Sequence, residues 1–170
     1  MARLEVRLLG DPVLRTEADP VEAIDSNLRR LAADMFETMY AEEGVGLAAP
    51  QVGILKRLIV IDPQTEDVRP LALVNPSVVE CGEDTERAEE GCLSVPGLKE
   101  LVDRSVRVVV QATDLDGKPL RIEAEGLLGR ILQHEVDHLN GVLFLDRVSP
   151  LKRKMLLRKW EKVRPAQARS

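Results

Sequence analysis

The chain has 170 residues, of which 44% are hydrophobic and 31% charged, and it carries a net charge of −5 at pH 7. This composition excludes an intrinsically disordered chain, and the length suits one globular domain spanning residues 1–170. Two cysteines are too few for a disulfide framework, and neither a signal peptide nor a transmembrane run of about 20 apolar residues is indicated. We therefore expect a cytoplasmic protein with neither DNA nor a membrane as its partner.

The first regular element predicted is a helix from Ser26 to about Ala41, capped by Asp25 or by Ser26 itself. Its apolar residues recur at helical spacing, at Leu28, Leu31, Ala32, Met35, Phe36 and Met39. After a glycine-rich segment over residues 44–53, the short apolar runs Leu58–Ile61 and Leu71–Val74 predict buried strands. Asn75 and Pro76 are expected to end the second strand.

Two further strands, Val106–Val110 and Leu120–Ala124, flank the turn sequence DLDG at residues 114–117 and predict a hairpin. A second helix is expected from Gly126 to Asn140, and a third begins at Ser149 and Pro150 and extends to about residue 165. Together these elements predict an α+β fold, in which a mostly antiparallel sheet packs around a central second helix. The first and third helices flank this core.

The third helix lies in a strongly basic segment. Residues 149–170 carry eight Lys or Arg and one acid, Glu161, whereas the first 148 residues have a net charge of −12. Such a segment could contact an anionic partner such as RNA, because phosphate neutralisation supplies affinity without sequence recognition. A solvated amphipathic helix explains the same charge pattern, and charge alone leaves both interpretations open.

The second helix contains the sequence HEVDH, from His134 to His138. Residues four apart lie on one helical face, so the two imidazoles can bind a single metal ion while Glu135 handles a proton from water. Asp137 could orient one imidazole. The alternative is two histidines that are close in sequence by chance, and we favour the metal site because Glu135 stands between them.

A catalytic site of this kind needs a third protein ligand, and the chain has no third histidine. A zinc metallopeptidase often takes a downstream glutamate. The acids after His138 are Asp146 and Glu161, so this ligand would be Glu161 in the basic segment. A thiolate is the better ligand, and Cys81 and Cys92 are the two candidates. Both are flanked by acids that disfavour a thiolate, so local charge does not choose between them, and either could be an apolar filler.

The glycine-rich segment Gly44–Gly53 reads GVGLAAPQVG. Small residues let a backbone approach a ligand closely, and Gln51 offers an uncharged donor for a developing oxyanion. The segment lacks the lysine of a phosphate-binding loop. A tight helix-to-strand connection would explain the same glycines.

Three motifs in chain order carry a resemblance to a known family. Gly44–Gln51 matches G-x-G-x-A-A-x-Q, Glu90–Ser94 matches E-G-C-x-S, and His134–His138 matches H-E-x-D-H. Together with the early sequence GDPVLR at residues 10–15, they make the chain resemble the peptide deformylases over nearly its whole length. The resemblance implies Cys92, His134 and His138 as ligands of one Fe(II) ion, a position that zinc, nickel or cobalt can also occupy.

The implied reaction removes the N-formyl group from the initiator methionine of nascent peptides and releases formate. The resemblance makes Glu135 the general base and acid, with the Gln51 side chain and the Leu93 N–H stabilising the oxyanion. It also implies that the peptide pairs with the backbone of the first two motifs, at Gly46, Glu90 and Gly91, and that Val45, Leu127 and Ile131 line the methionine pocket. Lys99 stands where some members carry an arginine, and Arg130 lies one turn before His134 with no role assigned by the sequence.

The same resemblance implies that the basic C-terminal helix docks on the ribosome. Two alternatives to the deformylase are retained. One is the zinc metallopeptidase that uses Glu161, and the other is a non-enzymatic homologue that binds ribosomes or metal on the same scaffold.

Overall fold

The computed structural model describes residues 2–165. Met1 and residues 166–170, the end of the basic segment and of the expected domain, lie outside the described residues. Within that range the α-helices are α1 (Ser26–Ala41), α2 (Gly126–Leu139) and α3 (Pro150–Val163). The strands are β1 (Gly46–Ala48), β2 (Leu58–Ile61), β3 (Leu71–Cys81), β4 (Thr85–Gly91), β5 (Lys99–Ser105), β6 (Arg107–Thr113) and β7 (Pro119–Glu125). Short 3-10 helices cover Pro12–Arg15, Ala49–Val52 and Phe144–Arg147.

Two antiparallel sheets make up the β structure. Five strands form one sheet in the order β1-β2-β3-β6-β7, and β4 pairs with β5 as a separate two-stranded hairpin. The predicted hairpin around residues 114–117 is the β6–β7 pair. The α+β prediction with a mostly antiparallel sheet is therefore confirmed.

The larger sheet has a helix on each face. Ile59 and Ile61 of β2 pack in the cluster that contains Ile131 and Leu132 of α2. Their neighbours Leu58 and Val60 pack in the cluster that contains Leu28, Met35 and Met39 of α1. Because side chains alternate along a strand, the continuous apolar run of β2 is explained by burial on both faces.

The helix ends follow the predicted capping. The Asp25 side chain accepts a hydrogen bond from the Leu28 N–H at 2.9 Å, and Ser149 Oγ accepts one from the Lys152 N–H at 3.2 Å. Leu156 and Trp160 of α3 pack in a third cluster with Leu14, Val95, Leu98, Val102 and Leu143–Leu145. This packing holds α3 against the segment that follows β4. No helix within residues 2–165 has both the length and the apolar character needed to cross a membrane.

One boundary prediction is wrong. The strand that begins at Leu71 does not end at Asn75 and Pro76 but continues to Cys81. Asn75 takes a left-handed conformation, with φ of 50°, and the pairing with β6 shifts register between Val74 and Ser77. This β-bulge accommodates the proline without ending the strand, because the bulged residue has no ladder partner.

Candidate metal centre and catalytic cleft

The central helix α2 carries the HEVDH residues, and all of them are buried. His134 and His138 lie one turn apart, and their Nε2 atoms are 3.2 Å from each other. The helical pitch produces this arrangement directly, since residues four apart share a face. The two imidazoles are therefore aimed at one point in space.

Cys92 directly follows β4, and its thiol lies close to the Nε2 atoms of the two histidines. Its Sγ atom lies 3.4 Å from His138 Nε2, and the ligand atoms of Cys92, His134 and His138 are all within 4.8 Å of one another. No other such group of three or more His, Cys, Asp or Glu residues occurs within residues 2–165. Cys81 is exposed at the end of β3 and takes no part. The arrangement selects Cys92 from the two candidates.

Glu161 does not join these ligands. It lies on α3, where its carboxylate forms an ion pair with Arg164 at 3.1 Å. This position does not favour the metallopeptidase alternative, which requires Glu161 as the third ligand.

The converging residues fit a transition-metal ion. A thiolate and two imidazoles are a donor set for iron, zinc, nickel or cobalt. Burial lowers the pKa of His138 well below its ordinary value, so this imidazole is neutral, as a ligand must be. Its Nδ1 atom and Glu135 Oε1 are buried with no hydrogen-bond partner among the described residues.

Glu135 lies beside the two histidines on α2. Burial raises the pKa of its carboxyl group to about 7. A Cβ atom placed on Gly46 would lie only 2.7 Å from Glu135 Oε2, so glycine lets β1 approach this carboxyl group. A carboxyl group with a pKa near neutrality can both accept and return a proton.

The side-chain amide of Gln51 has a defined orientation. Its Oε1 accepts a hydrogen bond from the Ala48 N–H at 3.0 Å, which leaves Nε2 to donate toward Ser94 Oγ at 3.1 Å. The same Nε2 lies 3.5 Å from Cys92 Sγ. Gln51 therefore directs a hydrogen-bond donor at the converging ligands.

A cleft of about 400 Å³ opens above this group. It is lined by every substrate-contact and catalytic residue predicted from the sequence, namely Val45, Gly46, Gln51, Glu90, Gly91, Leu93, Leu127, Ile131 and Glu135, together with Cys92 and His134. His138 is fully buried and does not line the cleft. Ile131 is buried, whereas Val45 and Leu127 are exposed at 38% and 52%. The cleft thus has apolar side chains in both its buried and its exposed parts.

Further cleft residues carry charge. Lys99 lines the cleft, with its Nζ 3.9 Å from Glu89 Oε1, and Glu43, also in the lining, immediately precedes the glycine-rich segment. The family resemblance singles out Lys99 but neither Glu43 nor Glu89. The only signal in the sequence was their position beside the two motifs.

Glu90 is expected to contact substrate, but its carboxylate is already hydrogen-bonded to other side chains of the protein. It accepts hydrogen bonds from Arg104, Arg130 and His134, and the hydrogen bonds from Arg104 and His134 overcome burial to hold its pKa well below the ordinary value. A substrate contact of its backbone remains a prediction. Arg104, which also donates to Asp137 at 2.7 Å, is buried and was not predicted, since a lone arginine in a strand gives no sequence signal.

Comparison with known proteins agrees with this geometry. The family model described as polypeptide deformylase matches residues 3–154. A peptide deformylase of Rhizobium meliloti is 51% identical over 157 residues, which cover 91% of this chain and 90% of that protein.

Solved structures give the same result. A crystal structure of a peptide deformylase from Legionella pneumophila has a TM-score of 0.91 and 48% identity, and the match covers 99% of each chain. One from Synechococcus elongatus, in complex with actinonin, has a TM-score of 0.89 and 47% identity, and the match covers 99% of this chain and 92% of that one. The non-enzymatic alternative is not favoured by these likenesses. From the sequence match along nearly its whole length and from its fold, the chain belongs to the polypeptide deformylase family and is a metal-dependent hydrolase that removes the N-formyl group from nascent polypeptides.

Proposed function

We propose that the chain deformylates nascent polypeptides with Cys92, His134 and His138 holding the metal ion and Glu135 acting as general base and acid. The convergence of the three ligand atoms within 4.8 Å, beside the buried carboxyl group of Glu135, carries this proposal. A bound divalent ion supplies Lewis-acid chemistry, because it lowers the pKa of water and polarises a carbonyl oxygen.

Glu135 takes a proton from the attacking water while the water oxygen bonds to the formyl carbon. It then gives this proton to the peptide nitrogen as the C–N bond breaks, so formate and a free amine leave. A pKa of about 7 lets Glu135 serve in both directions near neutral pH. Gln51 Nε2 and the Leu93 N–H donate hydrogen bonds to the developing oxyanion.

The cleft accounts for recognition of the formylated terminus. Ile131, Val45 and Leu127 provide apolar surface for the methionine side chain. Among residues 2–165, β1 pairs only with β2, so the backbone of Gly46 lies on a sheet edge to which an extended peptide can add. Gly91, at the end of β4, and the Glu90 backbone approach the peptide from the opposite side, and Lys99 offers a cation to its carbonyl groups or carboxylate.

The central experiment is formate release from a formyl-Met-Ala peptide by protein purified anaerobically and reconstituted with Fe(II). Glu135→Ala is expected to lower kcat by roughly 10²- to 10⁴-fold, the contribution of a positioned general base, while metal content is retained. Cys92→Ala should lose the metal, and Glu161→Ala should retain both metal and turnover. Loss of metal in Glu161→Ala with retention in Cys92→Ala would contradict the proposed ligand set.

We propose Fe(II) as the ion in the cell, as the family resemblance implies. The thiolate and imidazole ligands also suit zinc, nickel and cobalt. Elemental analysis of protein isolated without oxygen should find about one iron per chain, and kcat/KM should be higher with Fe(II) than with Zn(II). Zinc as the dominant metal under strictly anaerobic isolation, with equal activity, would contradict the choice of iron.

We further propose that α3 docks on the ribosome in the cytoplasm, where nascent chains emerge. Lys154, Arg158, Lys159 and Lys162 are exposed along this helix, beside the exposed side chains of Leu151 and Met155. Reversal of three charges, at Lys154, Arg158 and Lys162, should abolish co-sedimentation with ribosomes and leave peptide deformylation intact. The matched control reverses Arg30, Lys56 and Lys118, which are exposed elsewhere, and equal loss in the control would contradict docking through α3.

A further inference from the structure

We propose that Arg130 is a positioning residue for the metal centre, which it organises by fixing Glu90 and, through Glu90, the imidazole of His134. The sequence assigned Arg130 no role. The inference rests on the proposed function, in that it takes His134 as a metal ligand.

The carboxylate of Glu90 is saturated by four donors. Oε1 accepts hydrogen bonds from His134 Nδ1 and Arg104 Nη2, both at 2.9 Å. Oε2 accepts from Arg104 Nε at 2.8 Å and from Arg130 Nη1 at 2.6 Å. A carboxylate offers about four acceptor sites, so Arg130 fills the last of them and leaves Glu90 one orientation.

This orientation determines which tautomer His134 adopts. An ionised carboxylate only accepts hydrogen bonds, so the proton of His134 must be on Nδ1. Its Nε2 then carries the lone pair, and this atom faces His138 and Cys92. Carboxylate partners of this type fix the ring and raise the affinity of the ligand for metal.

Arg130 also joins the two segments that supply the ligands. It lies one turn before His134 on α2, and its guanidinium donates to the Glu86 carbonyl on β4 at 2.7 Å and to the Val102 carbonyl on β5 at 3.0 Å. Cys92 directly follows β4. One planar group thus connects the helix that carries the histidines to both strands of the hairpin that leads to the thiol.

A lysine cannot reproduce these contacts. The guanidinium of Arg130 directs Nη1 at Glu90 and Val102 and Nη2 at Glu86, whereas an ammonium group is a single point. Arg130 is only 12% exposed, so little room is left for water to replace the missing donors.

The test is Co(II) titration of metal-free protein, followed through the absorption of thiolate-bound cobalt. Arg130→Met is expected to weaken Co(II) binding by roughly 10- to 100-fold, the usual cost of losing an outer partner of a ligand, and to alter the cobalt spectrum. Arg130→Lys should recover only part of this loss. The matched control is Arg87→Met, which removes an exposed arginine of the same hairpin whose partner is Asp103 at 2.9 Å, and it should bind Co(II) as the unmodified chain does.

Double substitution shows whether Arg130 acts through Glu90. Glu90→Gln alone should weaken Co(II) binding, and Arg130→Met added to it should cause little further loss. Full additivity would overturn the inference. So would unchanged Co(II) affinity and spectrum in Arg130→Met when only the thermal stability of the metal-free protein falls, because a merely structural role predicts that result.

Cys92→Ser separates failure of this inference from failure of the proposed function. Loss of the thiolate band in Cys92→Ser with normal binding in Arg130→Met would overturn only the role of Arg130. Retention of the band in Cys92→Ser would overturn the proposed ligand set, and the inference with it. If Arg130→Met does not fold, Co(II) affinity and the cobalt spectrum are compared in Arg130→Lys, in Glu90→Gln and in the double variant.

Discussion

Gly46 and Glu135 illustrate how much of the cleft is decided by single residues. The strand β1 runs so close to the buried carboxyl group that a side chain at position 46 would have its Cβ 2.7 Å from Glu135 Oε2. Gly44, two residues earlier, faces a different neighbour, because a Cβ there would meet Leu93 Cδ1 at 2.8 Å. The first contact is with the proposed general base, and the second is with the end of an apolar side chain.

Gly46→Ala should therefore displace the Glu135 carboxyl group and lower kcat by roughly 10²-fold, as expected for a misplacement of about 1 Å. Metal content should stay at the unmodified level, since Glu135 is not a proposed ligand. Formate release measured beside elemental analysis checks this. Gly44→Ala is the comparison, and an equal loss of kcat in that variant would indicate general disruption of the segment.

At the scale of elements, Asp146 connects its own 3-10 helix to α3 and to the 3-10 helix Pro12–Arg15. It lies in the 3-10 helix Phe144–Arg147 and accepts hydrogen bonds from the Leu143 N–H at 2.9 Å and from Arg153 of α3 at 3.3 Å. It also pairs with Arg15 of the first 3-10 helix. Although burial favours the neutral carboxyl group, the hydrogen bond from Arg15 and its other partners hold the pKa of Asp146 below its ordinary value.

This lowered pKa predicts how stability depends on pH. A group whose folded-state pKa is lowered stabilises the protein above its unfolded pKa, about 4, and loses that contribution as pH falls through the folded value. Asp146→Asn should lower the free energy of unfolding at pH 7 by about 1 kcal/mol, allowing for solvent screening of a partly exposed group.

Urea unfolding between pH 3 and 7 measures this difference, which should shrink toward the acid end. Asp103→Asn is the comparison. The hydrogen bond from Arg87 also lowers the pKa of Asp103, but this carboxylate is 51% exposed, so its difference at pH 7 should be smaller. A constant difference across the pH range would show that Asp146 stabilises the fold by some means other than its charge.

For the whole molecule, the proposed metal ion connects parts of the chain that are far apart in sequence. Cys92 directly follows β4, the first strand of the β4–β5 hairpin. The two histidines lie on α2, which packs against the larger sheet. A ligand that binds only the folded state stabilises it by about 2.7 kcal/mol when present at 100 times its Kd. Metal binding is thus expected to be linked to folding.

Removal of the metal with a chelator should lower Tm, and added Zn(II) should restore it. Thermal unfolding followed by circular dichroism measures both. Cys92→Ser should show a much smaller response to Zn(II), because one ligand is missing. A Tm that does not change when the metal is removed would contradict the linkage.

The sequence by itself determined the local elements and the chemistry that depends on them. The bounds of α1, the cap of α3 at Ser149 and the pairing of His134 with His138 all follow from neighbours within one or two helical turns. Helical pitch and capping act over that distance, so they can be read without the fold. Through the family resemblance, the motifs also identified many of the residues that line the cleft, including Gln51 and Glu135.

Only the tertiary structure decided the contacts between distant segments. Local charge could not separate Cys92 from Cys81, and before the structure only the family resemblance implied Cys92. The structure brings Cys92 to the histidines while leaving Cys81 exposed. The same holds for the bulge that carries β3 past Pro76, and for Arg104 and Arg130 meeting at Glu90. Strand pairing and burial create these contacts between residues far apart in the chain, so no local pattern in the sequence encodes them.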